Sequence, residues 1–297
     1  MKQSSVDGWL GTAALLCWHA AAFATATGQE KPVAASAETA VQVVEVAGLR
    51  DVDEKRYRKI FKGMEVFEEN HQLAPAASLR FRLYPRSKNA SFAGLRVNLS
   101  RDGTNMPIAL DDDHSFRLPK SADMAKDDAL VTTNKKLGTY AWRVDIRTPG
   151  LPPNTRRLGD LRLECKVDMK GAELRQMIRD PSIMALVAVS DPCTFRTFTN
   201  PFFADRPVFN VTLVSGTRRE SIASDWLYGN STRVMPDAMY ELVDWRYTRD
   251  RQYIPPIADS NWPDDTLLEF DYMDDSPDAN KADVAAAPVR QETERQQ

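Results

Sequence analysis

The chain has 297 residues, with 39 Lys and Arg against 42 Asp and Glu, and a formal net charge of −3 at pH 7. Between Asp274 and Gln297 the acids Asp274, Asp275, Asp278, Asp283, Glu292 and Glu294 outnumber Lys281, Arg290 and Arg295 by as much as the whole chain's deficit, so the body before them is neutral. A neutral body exerts no long-range pull on polyphosphate, which argues against a nucleic-acid partner.

Met1 and Lys2 lead into an apolar run from Trp9 to Ala22, closed by Ala22-Phe23-Ala24. A short charged start, a hydrophobic centre and small residues ahead of a cleavage point make residues 1–24 a secretory signal peptide. Asp7 and His19 are atypical of such a leader, and an uncleaved N-terminal membrane anchor is the alternative. The run is short for a bilayer span of roughly 20 apolar residues, and no later segment qualifies, so the mature chain is expected to carry no transmembrane segment. Cleavage removes Cys17 and leaves Cys165 and Cys193 as an even pair bound for an oxidising compartment, the periplasm or the exterior. A disulfide between them is the expectation.

Residues 25–40, rich in Ala, Thr and Ser, read as a flexible tether. A helix is then predicted. Asp51 with Glu54 has the form of a capping box, and Tyr57, Ile60, Phe61, Met64 and Phe67 recur at helical spacing to an end near Asn70. Its polar face mixes acids and bases, which suits packing on a β body better than a membrane surface.

From there the period is two. Leu79, Phe81 and Leu83 oppose Arg80, Arg82 and Tyr84, and Leu95, Val97 and Leu99 oppose Arg96, Asn98 and Ser100. Tyr140, Trp142, Val144 and Ile146 oppose Arg143, Asp145 and Arg147, with turn residues at Arg101-Asp102-Gly103 and Pro149-Gly150 between such runs. Clean alternation predicts antiparallel sheets with one wet face, hence a mainly β fold of sandwich lobes with an N-terminal amphipathic helix. Within this stretch, Ala93-Gly94-Leu95-Arg96-Val97-Asn98-Leu99, Pro107-Ile108 and Asp111-Asp112-Asp113-His114-Ser115-Phe116-Arg117-Leu118-Pro119 stand in an order of their own. Through these residues the segment 79–146 resembles the carboxypeptidase-regulatory-like, transthyretin-like sandwich modules. It departs from them at Ser115, where a glycine is usual before the aromatic. The resemblance implies a non-catalytic sandwich with no active-site residues to carry over.

The stretch Pro149 to Asn154 cannot continue a central strand and marks a boundary between a lobe of residues 41–150 and a second β-rich lobe of residues 155–273. In the second lobe Leu161, Leu163, Cys165, Val167 and Met169 alternate with Arg162, Glu164, Lys166 and Asp168 and read as a strand. So do Phe209, Val211 and Leu213, and later Leu268, Phe270 and Tyr272, whereas the apolar run Ile183 to Val189 fits helix or strand. Residues 274–297 read as a disordered acidic tail.

Chemistry-bearing motifs are few. No Cys-x-x-Cys, His-x-His or His-Glu-x-x-His occurs, nor a Gly-x-Ser-x-Gly elbow, a Ser-x-x-Lys pair or a Gly-rich phosphate loop. Neither a metal nor another cofactor is therefore expected. Asp111-Asp112-Asp113-His114 lacks the alternation of a calcium loop and reads as a solvated turn. One region stands out: Trp226, Trp245, Tyr253 and Trp262 interleave with charges that include Asp244 and Arg246. Aromatic faces beside carboxylates and guanidiniums suit a sugar or peptide surface. The sequence thus points to a non-catalytic binding or structural module of the bacterial cell envelope, with an envelope glycan or protein as partner. One alternative is a glycan or peptide hydrolase using carboxylates among Glu241, Asp244, Asp259, Asp264 and Asp265. Another is an envelope assembly factor or chaperone that offers a sheet edge to a client strand.

Overall fold

The computed structural model describes residues 51–171, 190–196, 200–228 and 249–275. The signal peptide, the tether, the run Ile183–Val189 and nearly all of the acidic tail lie outside the described residues. The described chain is mainly β, and every strand pairing in it is antiparallel.

Residues up to Arg147 form two sheets. One holds β1 (Val52–Arg56), β3 (Val97–Arg101), β4 (Thr104–Ile108) and β6 (Leu130–Lys136) in the order β1-β6-β3-β4; the other holds β2 (Ser78–Pro85), β5 (Ser115–Phe116) and β7 (Tyr140–Arg147) in the order β5-β2-β7. Val97, Leu99 and Val131 from the first meet Phe81, Leu83, Trp142 and Val144 from the second in one buried cluster. The tight link from β3 to β4 puts Asp102 and Gly103 at φ 48° and 77°, a left-handed pair suited to a two-residue hairpin.

The first helix, α1 (Tyr57–Glu69), starts later than its sequence signature suggests. Asp51 is held at φ 72° while its carbonyl accepts from the Leu137 amide at 2.7 Å, so it cannot cap, and β1 occupies the predicted first turn. Tyr57 instead takes over: its amide donates to the Ala129 carbonyl at 2.8 Å, and its hydroxyl accepts from the Ser121 amide at 2.9 Å. Tyr57, Ile60 and Met64 are buried as the spacing predicts, and Asn70 ends the helix.

The second correction is larger. Leu161–Met169 is no strand but part of helix α3 (Leu158–Gly171). Leu158, Leu161, Cys165 and Met169 pack into one hydrophobic cluster, Leu163 and Val167 into the other. A helix buried on opposite sides has apolar residues at both two- and four-residue spacings, so alternation arises without a strand. Its acids are not on a wet face either. Asp160 accepts the Thr148 amide and hydroxyl, each at 2.7 Å, and Glu164 accepts the Ile146 amide at 2.7 Å. At helical spacing, these carboxylates cover the outer edge of β7 in place of a neighbouring strand.

The wet face expected on β2 and β7 is buried for the same reason. Arg82, Arg143 and Asp145 are 7%, 6% and 3% exposed beneath the segment Asn200–Asp205. Arg143 donates to the Pro201 carbonyl at 2.7 Å and lies over Phe203, while Tyr84 packs against the same ring at 5.2 Å between centroids. Beyond α3, β8 (Thr155–Arg157), β10 (Val208–Ser215), β11 (Arg218–Ser221) and β13 (Leu267–Tyr272) form a third sheet in the order β11-β10-β13-β8. A two-stranded pair joins β9 (Phe202–Phe203) to β12 (Gln252–Tyr253). The short α2 (Ala122–Lys126), capped by Ser121, completes the helices used here.

Candidate functional site

The third sheet has an inner face of Val211, Leu213, Leu268 and Phe270, all buried. At the β11 end this face is not fully roofed, and a cleft of about 350 Å³ opens there. Leu213, Glu220 and Ile222 form one wall, the stretch Ile254–Asp259 the other, with Trp226, Trp262 and Arg196 completing it. That volume lies in the range of small-ligand sites, which combine an apolar lining with a few polar groups.

Local chemistry explains each wall. Gly216, at φ 58°, permits the hairpin that folds β11 back on β10. The opposite wall has little regular structure and is held by Arg162 of α3. Its guanidinium donates to the carbonyls of Ile257 at 2.8 Å, Asp259 at 2.9 Å and Trp262 at 2.8 Å, and it pairs with the Asp264 carboxylate. One planar fork thereby fixes the loop from 257 to 264. The rim is charged and paired: Arg196 with Asp259 at 2.8 Å, and Arg218 with Glu220 at 2.9 Å. Arg218 also sits 3.6 Å over the Trp262 ring. Arg196 is brought to the rim by the Cys165–Cys193 disulfide, which ties the turn at Pro192–Thr194 to α3 with 6.0 Å between Cα atoms.

The aromatic residues singled out in sequence separate here. Trp226 lies at the lip, 36% exposed. Trp262 lines the cleft but is only 3% exposed, being covered by Arg218. Tyr253 is fully buried in β12, edge-on to Phe270 at 5.0 Å, and burial drives its phenol pKa upward; it is a core residue, not a surface one. Trp245, Asp244 and Arg246 lie outside the described residues, as does Glu241. Of the remaining carboxylates proposed for acid–base work, Asp259 and Asp264 are engaged by Arg196 and Arg162, and Asp265 is exposed to solvent. They do not converge on the cleft. The residues that sequence reasoning missed are Arg162, Arg196 and the Ile222 and Ile254–Ile257 walls; only the Pro255-Pro256 pair hinted at a rigid wall.

A second polar centre lies between β2, β7 and the loop at Asp205. Arg147 grips Asp205 with two bonds of 2.8 and 2.7 Å, and Arg82 reaches the same carboxylate at 2.6 Å and Asp145 at 3.2 Å. Arg82 also bonds Asp113. Desolvation pushes the Asp205 carboxyl up, but the Arg147 bonds and the Arg147 and Arg82 charges outweigh it and hold Asp205 well below the usual carboxylate range. Burial likewise raises Glu164, opposed by Arg156 beside it. These groups serve one another across the fold and aim at no cavity. The turn at Asp111–His114 is drawn into the same network: Asp111 pairs with Arg80, and His114, at φ 60°, stacks on Phe92. Among the described residues no group of three His, Cys, Asp or Glu could hold a metal ion, and no helix is long and apolar enough to cross a membrane.

No family model matches the chain, and neither a curated protein nor a solved structure matches it.

Proposed function

We propose that the chain is an exported, non-catalytic binding module of the bacterial cell envelope, and that an envelope glycan or protein engages the cleft beside Trp226. The cleft itself carries this reading: an apolar lining of ligand-sized volume, a half-exposed tryptophan at the lip and charged pairs around the rim. A disulfide that tethers the rim supports an oxidising compartment, in keeping with the leader at residues 1–24. The transthyretin-like resemblance of residues 79–146 supports a scaffold rather than an enzyme.

The test is a pull-down from the envelope fraction with the wild-type chain and with Trp226→Ala. A component retained by the wild type and lost with the variant is the expected result. Identical capture by both proteins would remove the cleft from the account. Fractionation of cells producing the full chain should recover a form starting after Ala24 outside the cytoplasm, and an intact leader on a cytoplasmic product would refute export.

A further inference from the structure

We infer that the cleft, read as the binding site above, takes an extended peptide that pairs with the free edge of β11 and drops a bulky apolar side chain beside Trp226. Among the described residues β11 is an outermost strand, paired only with β10 and exposed along all of Arg218–Ser221. The ladder pairs Ser215 with Arg218 and Leu213 with Glu220, and the Ile222 amide donates to the Val211 carbonyl at 2.8 Å. In an antiparallel pair, residues facing the partner with N–H and C=O alternate with residues that face away. Arg218, Glu220 and Ile222 therefore bond toward β10, and the N–H and C=O of Arg219 and Ser221 point outward. Those groups can accept a further strand.

The side chains settle where such a strand would send its own. Glu220 and Ile222 line the cleft, and Arg218 covers Trp262, so this face of β11 is the cleft face. Arg219 turns the other way and pairs with Glu269 at 2.5 Å across the sheet. A peptide residue opposite Glu220 must then present its side chain to the cleft, because directly paired residues share a face. The rim adds a charge preference. On the cleft face Arg196 is 67% exposed against 26% for Asp259, so the outermost charge of that pair is positive, whereas Glu220 is the more exposed partner of Arg218. The occupant this selects is an extended segment with a bulky apolar residue opposite Glu220 and, two positions away on the same face, an Asp or Glu to meet Arg196; the probe carries one on each side, so that either strand direction presents it.

The probe is the acetylated, amidated heptapeptide TDVLVDT carrying a fluorophore, titrated by anisotropy against the full mature chain. Its central leucine is the anchor, and the amides of its two valines face β11. The expected result is saturable binding that weakens about fivefold when either valine amide is N-methylated, since each lost hydrogen bond is worth about 1 kcal/mol, and that is unchanged by N-methylation of the leucine. Replacing both aspartates with asparagine should weaken binding about threefold, the scale of exposed ion pairs. Arg219→Pro removes an outward N–H without touching the β10 ladder and should weaken binding likewise, with its melting curve as the folding control. Equal affinity for all three N-methylated forms would overturn edge pairing while leaving the cleft as a site. No binding of TDVLVDT, beside a pull-down that still depends on Trp226, would overturn the peptide inference alone. Failure of both measurements would remove the binding reading itself.

Discussion

Asp205 shows how one carboxylate on a half-exposed loop can be held by the body beneath it. It accepts two bonds from Arg147 and one from Arg82, and both arginines stand on neighbouring strands whose outer face the loop covers. Bidentate geometry of this kind is among the stronger charge-assisted contacts. Because the folded-state pKa of Asp205 is depressed, the stability it contributes is present above the unfolded carboxylate value and is lost as pH falls through the folded one. Asp205→Asn is therefore expected to be less stable than wild type at neutral pH. The gap should shrink as pH drops below about 4, where the carboxyl of the unfolded chain begins to protonate while the folded one stays ionised. Urea unfolding of the two proteins across that range is the measurement. A gap that stays constant down to the acid limit would show that the carboxylate charge contributes nothing. Asp113, which also bonds Arg82, is likewise held below the ordinary value, so the wild-type curve alone is ambiguous and the difference between proteins is the quantity to read.

At the level of elements, the cleft depends on a helix that does not line it. Arg162 projects from α3 and collects the carbonyls of Ile257, Asp259 and Trp262, none of which belongs to a strand. Arg162, itself 15% exposed, keeps its apolar stem in Arg162→Met but strands those acceptors, and the change should destabilise by about 2–3 kcal/mol, as expected when a charged donor is removed from partly buried groups. Arg162→Lys should recover little, because an ammonium cannot serve the carbonyls in a planar fork. Hydrogen exchange would show the effect locally: the amides of Ile257, Asp259 and Trp262, bonded within the loop, should lose protection while those of β10 keep theirs. Uniform loss would instead mean global destabilisation. This dependence was out of reach of pattern reading, since Arg162 and its acceptors lie 95 to 100 residues apart. Local rules did better at locating strands and α1: the inward faces of β2, β7 and β13 and the spacing of α1 are legible. The second face of β2 and β7 is buried too, however, and Phe209, expected inward with Val211 and Leu213, is exposed because the register of β10 shifts between Val208 and Asn210. The same rules failed on α3, whose buried acids mimic a wet face because β7 supplies their partners. Likewise Trp226 and Trp262 announced an aromatic surface, but only the fold could tell the lip residue from one roofed by Arg218.

Across the whole molecule, α3 contributes to both hydrophobic clusters, as do β2 through Tyr84 and β7 through Ala141, and the disulfide ties α3 to the rim of the cleft. Unfolding the first cluster would leave one side of a largely buried helix facing water, together with Asp160 and Glu164, whose backbone donors are Thr148 and Ile146. Separate melting of the two clusters thus exposes apolar surface of the helix and forfeits its charge-assisted hydrogen bonds. A cross-link across 28 residues limits the unfolded ensemble by about 3–4 kcal/mol in the loop-entropy treatment. The expected outcome of reducing the wild-type protein, or of the Cys165→Ala and Cys193→Ala double variant, is a lower denaturation midpoint with a single transition. Far-UV dichroism reports the whole backbone, whereas the fluorescence of a mature chain with Trp226→Phe, Trp245→Phe and Trp262→Phe comes from Trp142 in the first cluster. Coincident curves from the two signals, before and after reduction, would establish one cooperative body. If reduction splits them, then the bridge, and not the packing of α3, β2 and β7, is what joins the two clusters.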